Sequence, residues 1–110
     1  MKYYIVIPSY NEEALIGLTL QSLISQTVLP SKIVVVNDNS TDRTAEVVLE
    51  FAKNNPYISL VNKSSENIHL PGSKVIQAFE KGFETLDDNY DLIVKIDADL
   101  IFPTNYFETI

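Results

Sequence analysis

The sequence predicts an α/β fold in which a mostly parallel sheet carries helices on both faces. Short, continuous apolar runs rich in β-branched residues alternate with longer segments whose apolar residues recur every three to four positions. Each strand-like run also ends in a polar cluster, where a parallel sheet turns toward its next helix. The 110 residues suffice for one domain, and 45% apolar residues supply a core. No repeat, low-complexity tract or linker-like shift in composition divides the chain, so residues 1–110 are expected to form one unit.

The first run, Tyr3 to Ile7, is apolar throughout and ends at Pro8, as expected of a strand buried on both faces. Asn11 is a candidate helix cap, Glu12 and Glu13 suit the positive end of a helix dipole, and Ile16, Leu20 and Leu23 follow at helical spacing. This helix should fade between Gln26 and Pro30. Ile33 to Val36 is a second buried strand, and Asn37 to Asp42 is the loop after it. Ala45, Val48, Leu49 and Ala52 mark a second amphipathic helix that closes near Pro56, with Asp42 as its expected N-cap. Tyr57 to Val61 fits a third strand, and Asn62 to Gly72 lacks periodicity. Val75, Ala78, Phe79, Gly82 and Leu86 predict a third helix from about Ser73 to Leu86. Leu92 to Ile96 is a fourth strand, with Asp97-Ala98-Asp99 directly after it.

In an open parallel sheet, ligands bind beyond the carboxyl ends of the strands. Four polar clusters map to that edge: Ser9 to Glu13, Asn37 to Asp42, Asn67 to Lys74, and Asp97 to Asp99. Asp97 and Asp99 flank one small residue, and two carboxylates held so close repel unless a cation or proton lies between them. A hard divalent ion, Mg or Mn, would bind through one or two of them and keep positions open for diphosphate oxygens. The alternative is a pair of solvated turn residues. Asp38, after four β-branched residues, is placed to accept a proton from a base or ribose edge, or to form a turn with Asn39, Ser40 and Thr41. Tyr10 offers a stacking face beside Pro8 and Ser9, or is a rim residue. Lys74 offers a charge to a phosphate or is simply solvated, and Gly72 permits close backbone approach or breaks the loop. The sole histidine, His69, has no evident partner and reads as a surface residue.

The bulk chemistry excludes several classes. Fifteen acidic against eight basic side chains give a formal charge of −7 with no basic stripe, which disfavours nucleic acid. An acidic protein that handles an anionic nucleotide needs a metal ion, lysines or helix N-termini to offset its own field. No cysteine is present, so neither disulfides nor thiolate metal sites arise. The apolar run at the N-terminus stops at Pro8, too early for a signal peptide or a membrane span. Neither G-x-x-x-x-G-K-S/T nor G-x-G-x-x-G occurs.

Taken together, Pro8-Ser9-Tyr10-Asn11-Glu12-Glu13, Val36-Asn37-Asp38-Asn39-Ser40-Thr41-Asp42 and Asp97-Ala98-Asp99 resemble glycosyltransferase family 2, whose members carry P-x-Y-N-E-E, V-D-D-x-S-x-D and a later aspartate pair. Ser25-Gln26-Thr27 looks like the family's S-Q-T turn, Pro103 suits its later proline, and Asn37 departs from the usual first aspartate. The resemblance covers essentially the whole chain. It implies a GT-A fold that takes a nucleoside diphosphate sugar, UDP-linked by preference, with inversion at the anomeric carbon. It further implies that Pro8 and Tyr10 line the nucleoside pocket, that Glu12 lies near the nucleotide, and that Asp38 contacts the base. Asp97 would lie by the ribose and diphosphate, with Asp99 as the metal ligand.

The family's general base lies well beyond the aspartate motif, so the resemblance implies a donor-binding part, residues 1–110, truncated shortly after that motif and before the base, with little or no turnover alone. Expected acceptors are carbohydrate, lipid-linked or protein hydroxyls, in cell wall or polysaccharide biosynthesis. The expected location is the cytoplasm, extending to the inner face of a membrane. Two alternatives stay open: a sugar nucleotidyltransferase, which would normally show a Gly-rich basic loop after its first strand, and a non-catalytic nucleotide-binding module.

Overall fold

The computed structural model describes residues 2–63, 86–87 and 89–109. Four strands, β1 (Tyr3–Ser9), β2 (Lys32–Asp38), β3 (Ile58–Lys63) and β4 (Leu92–Lys95), form one sheet in the order β3-β2-β1-β4. Every pairing is parallel, with Ile5 opposite Ile33 on one side and Val94 on the other. Helices α1 (Ile16–Ile24) and α2 (Thr44–Asn54) connect the first three strands, and a 3₁₀ turn (Tyr106–Thr109) follows β4.

The alternation of side chains along each strand divides the core in two. Tyr3, Ile5, Ile7, Ile33 and Val35 point to the side where Ile16, Leu20 and Leu23 of α1 and Val48 of α2 pack against them. Val6, Val34 and Val36 point the other way, and are as buried. Burial on both faces explains why β1 and β2 are apolar without the polar alternation of a half-exposed sheet. The third predicted helix, Ser73 to Leu86, lies almost wholly outside the described residues, as do His69, Gly72 and Lys74.

Two sequence expectations need correction. The first helix begins at Ile16 rather than at Asn11, and Leu15 at its N-cap makes no side-chain capping bond. Asn11 is in the left-handed region, φ 51°, and its polar atoms are engaged by the next loop, so it cannot cap. The second helix has Arg43 at its N-cap, one residue later than expected. Asp42 nevertheless serves the same end, because its Oδ1 accepts the Thr44 amide at 2.9 Å.

At the opposite, amino-terminal edge of the sheet, Asp87 joins β1 to β2. It accepts from the buried Tyr4 hydroxyl at 2.7 Å, from Lys32 Nζ at 2.8 Å and from the Asn89 amide at 2.9 Å. These bonds, Lys32 foremost, hold its carboxyl well below the usual carboxylate range. A depressed native pKa adds stability above the unfolded value and loses it as pH falls through the native one. Asp87→Asn should therefore lower the melting temperature at neutral pH, with the gap closing below about pH 4. Both partners are half-exposed, so high salt should also shrink the gap. Melting curves across pH and salt check both trends, and a gap that widened in acid would contradict the assignment.

Candidate donor-binding site

The strand order fixes where a ligand can enter. The chain steps outward from β1 to β2 to β3, then returns to the far side of β1 for β4. The connections thus diverge between β1 and β4, the point beyond whose carboxyl ends open α/β sheets place their ligand crevice. The loops that follow them are Tyr10 to Leu15 and Ile96 to Phe102.

The β1 and β2 loops are stitched together by side chains that accept backbone amides. Ser40 Oγ accepts the Asn11 amide at 3.0 Å, Thr44 Oγ1 accepts that of Glu12 at 2.9 Å, and Asp42 Oδ2 accepts that of Glu13 at 3.2 Å. In return Asn11 Oδ1 accepts the Thr41 amide at 2.8 Å. Ser9 Oγ donates to the Val36 carbonyl at 3.0 Å, binding the strand ends beneath the loops. Asn37 donates from Nδ2 to Asn62 Oδ1 and accepts the Ser40 amide, so its amide group bridges toward β3 and braces the β2 loop. An aspartate at that position could accept Ser40 but could not donate to Asn62.

Asn11→Ala should cost about 2 kcal/mol, since it removes the acceptor for Thr41 and leaves a non-glycine residue in the left-handed region. Asn11→Gly relieves the conformational part only and should fall between alanine and the parent. Urea denaturation of the three proteins checks the order, and equal stability of all three would refute it.

Asp97 and Asp99 follow β4 as the sequence predicted, but the residue between them is the anchored one. Ala98 is 3% exposed and belongs to the main core, whereas both aspartates are exposed. Backbone pairing with β1 continues through the Ile96 amide to the Val6 carbonyl, and a turn then brings the Leu100 amide to the Asp97 carbonyl. Lys95 Nζ lies 3.7 Å from Asp97 Oδ1, a solvent-screened ion pair.

Glu12 is half-buried, and burial raises its pKa above the usual glutamate value. Repulsion from Asp99, then Asp42, then Asp97 pushes it the same way. Residues from three separate loops therefore contribute to one negative field. That field suits a cation, although no group of three or more His, Cys, Asp or Glu among the described residues is arranged to hold one.

The other predicted residues are placed as follows. Asp38 ends β2, next to β1, and is 6% exposed, so its side chain is turned into the protein rather than into solvent. Tyr10 is 58% exposed and Pro8 is half-buried beneath it in sequence. Lys74 lies outside the described residues. Sequence reading passed over Thr19, which is fully buried on α1 and donates to the Ala98 carbonyl at 3.0 Å. It fell on the buried stripe of Ile16, Leu20 and Leu23, and a polar residue inside such a stripe was the available signal. Gln26, in the Ser25-Gln26-Thr27 turn where the first helix is expected to fade, is buried and ties that turn to the chain beyond the aspartates.

A family model described as "Glycosyl transferase family 2" matches residues 4–110. The chain belongs to that family. Among curated relatives, the probable glycosyltransferase YdaM of Bacillus subtilis is 35% identical over 100 residues, which make up 89% of this chain and 23% of YdaM. Among solved structures, residues 1–349 of Staphylococcus aureus TarS in complex with UDP superpose with a TM-score of 0.73 at 25% identity, covering 99% of this chain and 30% of that one. The mannosyltransferase PcManGT of Pyrobaculum calidifontis, in complex with GDP-Man and Mn2+, gives 0.71 at 25% identity, covering 93% and 28%. This family 2 chain therefore has the GT-A fold and spans less than a third of the length of each of these proteins. No helix among its described residues is long and apolar enough to cross a membrane.

Proposed function

We propose that residues 1–110 form the donor-binding half of an inverting glycosyltransferase that uses a nucleoside diphosphate sugar, UDP-linked by preference. The observation that supports this reading is the placement of Glu12, after β1, and of Asp97 and Asp99, after β4, on the loops either side of the β1/β4 divergence, with Asp38 buried at the end of the strand next to β1. In this reading Asp38 accepts a ring N–H of the base, and Tyr10, exposed at the crevice mouth, supplies a stacking face beside Pro8. Asp97 lies by the ribose and diphosphate. Lys74 is assigned to a phosphate by its place in the sequence.

Asp99, with help from Asp97, would hold Mg2+ or Mn2+, which supplies charge neutralisation for the departing nucleoside diphosphate. Transfer itself breaks the bond from the anomeric carbon to the diphosphate oxygen while an acceptor hydroxyl forms the new bond from the opposite face. Its proton passes to a general base that the reading assigns to sequence beyond Ile110, so residues 1–110 alone should bind donor weakly and turn over little. The acceptor is a hydroxyl of a carbohydrate, lipid-linked sugar or protein, and the cytoplasm, including the inner membrane face, is the corresponding location.

Calorimetric titration of UDP, GDP and dTDP, each with Mn2+, with Mg2+ and with chelator, tests the reading. Binding of one diphosphate that is strengthened by metal is expected, with UDP tightest. Folded protein that bound none of the three would overturn the donor-site assignment.

A further inference from the structure

We infer that Thr19 is a positioning residue for the Asp97-Ala98-Asp99 loop, setting the orientation of Asp99 through the Ala98 carbonyl; the inference rests on the donor-site reading above. Thr19 Oγ1 is fully buried and lies 3.0 Å from the Ala98 carbonyl oxygen, with the Leu15 carbonyl at 3.2 Å. The hydroxyl has one proton to donate, and the Ala98 carbonyl is the nearer acceptor, 79 positions away in sequence.

The peptide unit explains why this bond reaches the aspartate. The Ala98 carbonyl, the Asp99 amide and the Asp99 Cα lie in one rigid plane. Fixing the carbonyl oxygen against α1 therefore fixes the position of the Asp99 Cα and the line of its N–Cα bond, the base from which the side chain departs. Among the described residues, the other restraints on this segment are packing of the Ala98 methyl in the core, the Ile96 pairing before it and the weak 3.4 Å turn bond of Leu100 after it.

The turn that follows α1 secures the chain beyond the motif. Gln26 Nε2 donates to the Pro103 carbonyl at 2.6 Å and the Ser22 carbonyl at 3.0 Å, while its Oε1 accepts the Phe107 amide at 3.2 Å. The Thr27 amide donates to the Thr104 carbonyl at 2.8 Å. Contacts 19 to 98, 26 to 103 and 27 to 104 show the segment after β4 running alongside α1 and the turn after it, so these two together act as a splint for the loop that carries both aspartates. Thr19 is the contact that touches the motif itself.

The test compares UDP affinity with Mn2+ and with chelator, so that the ratio reports the metal's contribution separately from nucleotide binding. Thr19→Val keeps the shape and removes the donor. It should cut the ratio about tenfold, the scale of one lost buried hydrogen bond, and leave the affinity in chelator unchanged. Thr19→Ser should restore the ratio. Val48→Ala, a truncation of the same core in α2, should lower the melting temperature without moving it. If Thr19→Val does not fold, Thr19→Ala is read in the same way.

A parental ratio in Thr19→Val, with a melting temperature lowered as in Val48→Ala, would overturn the inference and leave the donor-site reading standing. A parent protein that binds no nucleoside diphosphate would overturn both.

Discussion

Asp99→Asn is expected to weaken UDP binding in the presence of Mn2+ by about 100-fold, equivalent to about 2.7 kcal/mol, while the affinity in chelator stays within about threefold. Asparagine keeps the size of the side chain and one oxygen, so packing is preserved and only the charge and the second oxygen are lost. The exposed side chain makes the substitution safe for folding, because the anchored member of the motif is Ala98. Removing a negative charge should also ease the repulsion on Glu12, lowering its pKa toward the usual glutamate value. The two effects separate the explanations. A turn residue without a cation to hold would show the change at Glu12 and no change in metal-dependent affinity. Asp97→Asn should have the smaller effect on affinity, since Lys95 already offsets part of its charge.

Leu20→Ala should destabilise the fold by about 3 kcal/mol and lower the melting temperature by about 15 °C. Leu20 is fully buried in the cluster that joins β1, β2, α1 and α2, where closely packed neighbours can collapse only partly into the space left by three lost carbons. A domain of this size has roughly 5–15 kcal/mol in total, so the loss is a large share. Leu18, two positions away and 52% exposed, provides the contrast, and Leu18→Ala should change stability by less than about 0.5 kcal/mol. Thermal melts of the pair decide the matter. Equal losses would mean that α1 packs with a different face toward the sheet, which would also remove the Thr19 contact with Ala98.

The alternation of β-branched runs with helical stripes was enough to place the four strands, most sharply β1 and β2, because strands buried on both faces of a parallel sheet must be apolar. The stripe of Ile16, Leu20 and Leu23 likewise gave the buried face of α1. The start of that helix was not legible. Asn11, Glu12 and Glu13 have the chemistry of a helix N-terminus, but their amides bind Ser40, Thr44 and Asp42 about thirty positions later, and no local rule anticipates such partners. The acceptors were visible as a polar loop, yet what they accept depends on β1 and β2 lying side by side.

The sequence by itself determined the α/β class, the position of the clusters Ser9 to Glu13, Asn37 to Asp42 and Asp97 to Asp99 at the carboxyl edge, and the family, since these depend on local periodicity and on residue types at fixed spacing. Only the tertiary structure decided the strand order, and hence that Glu12 shares a field with Asp97 and Asp99 while Asp38 lies one strand over. It also decided that Thr19 and Gln26, polar residues within or just beyond an apolar stripe, hold the chain around the aspartate motif. The physical reason is that a hydrogen bond across some eighty residues leaves no periodic trace in the sequence. A buried donor shows its purpose only when the backbone carbonyl it satisfies is brought against it.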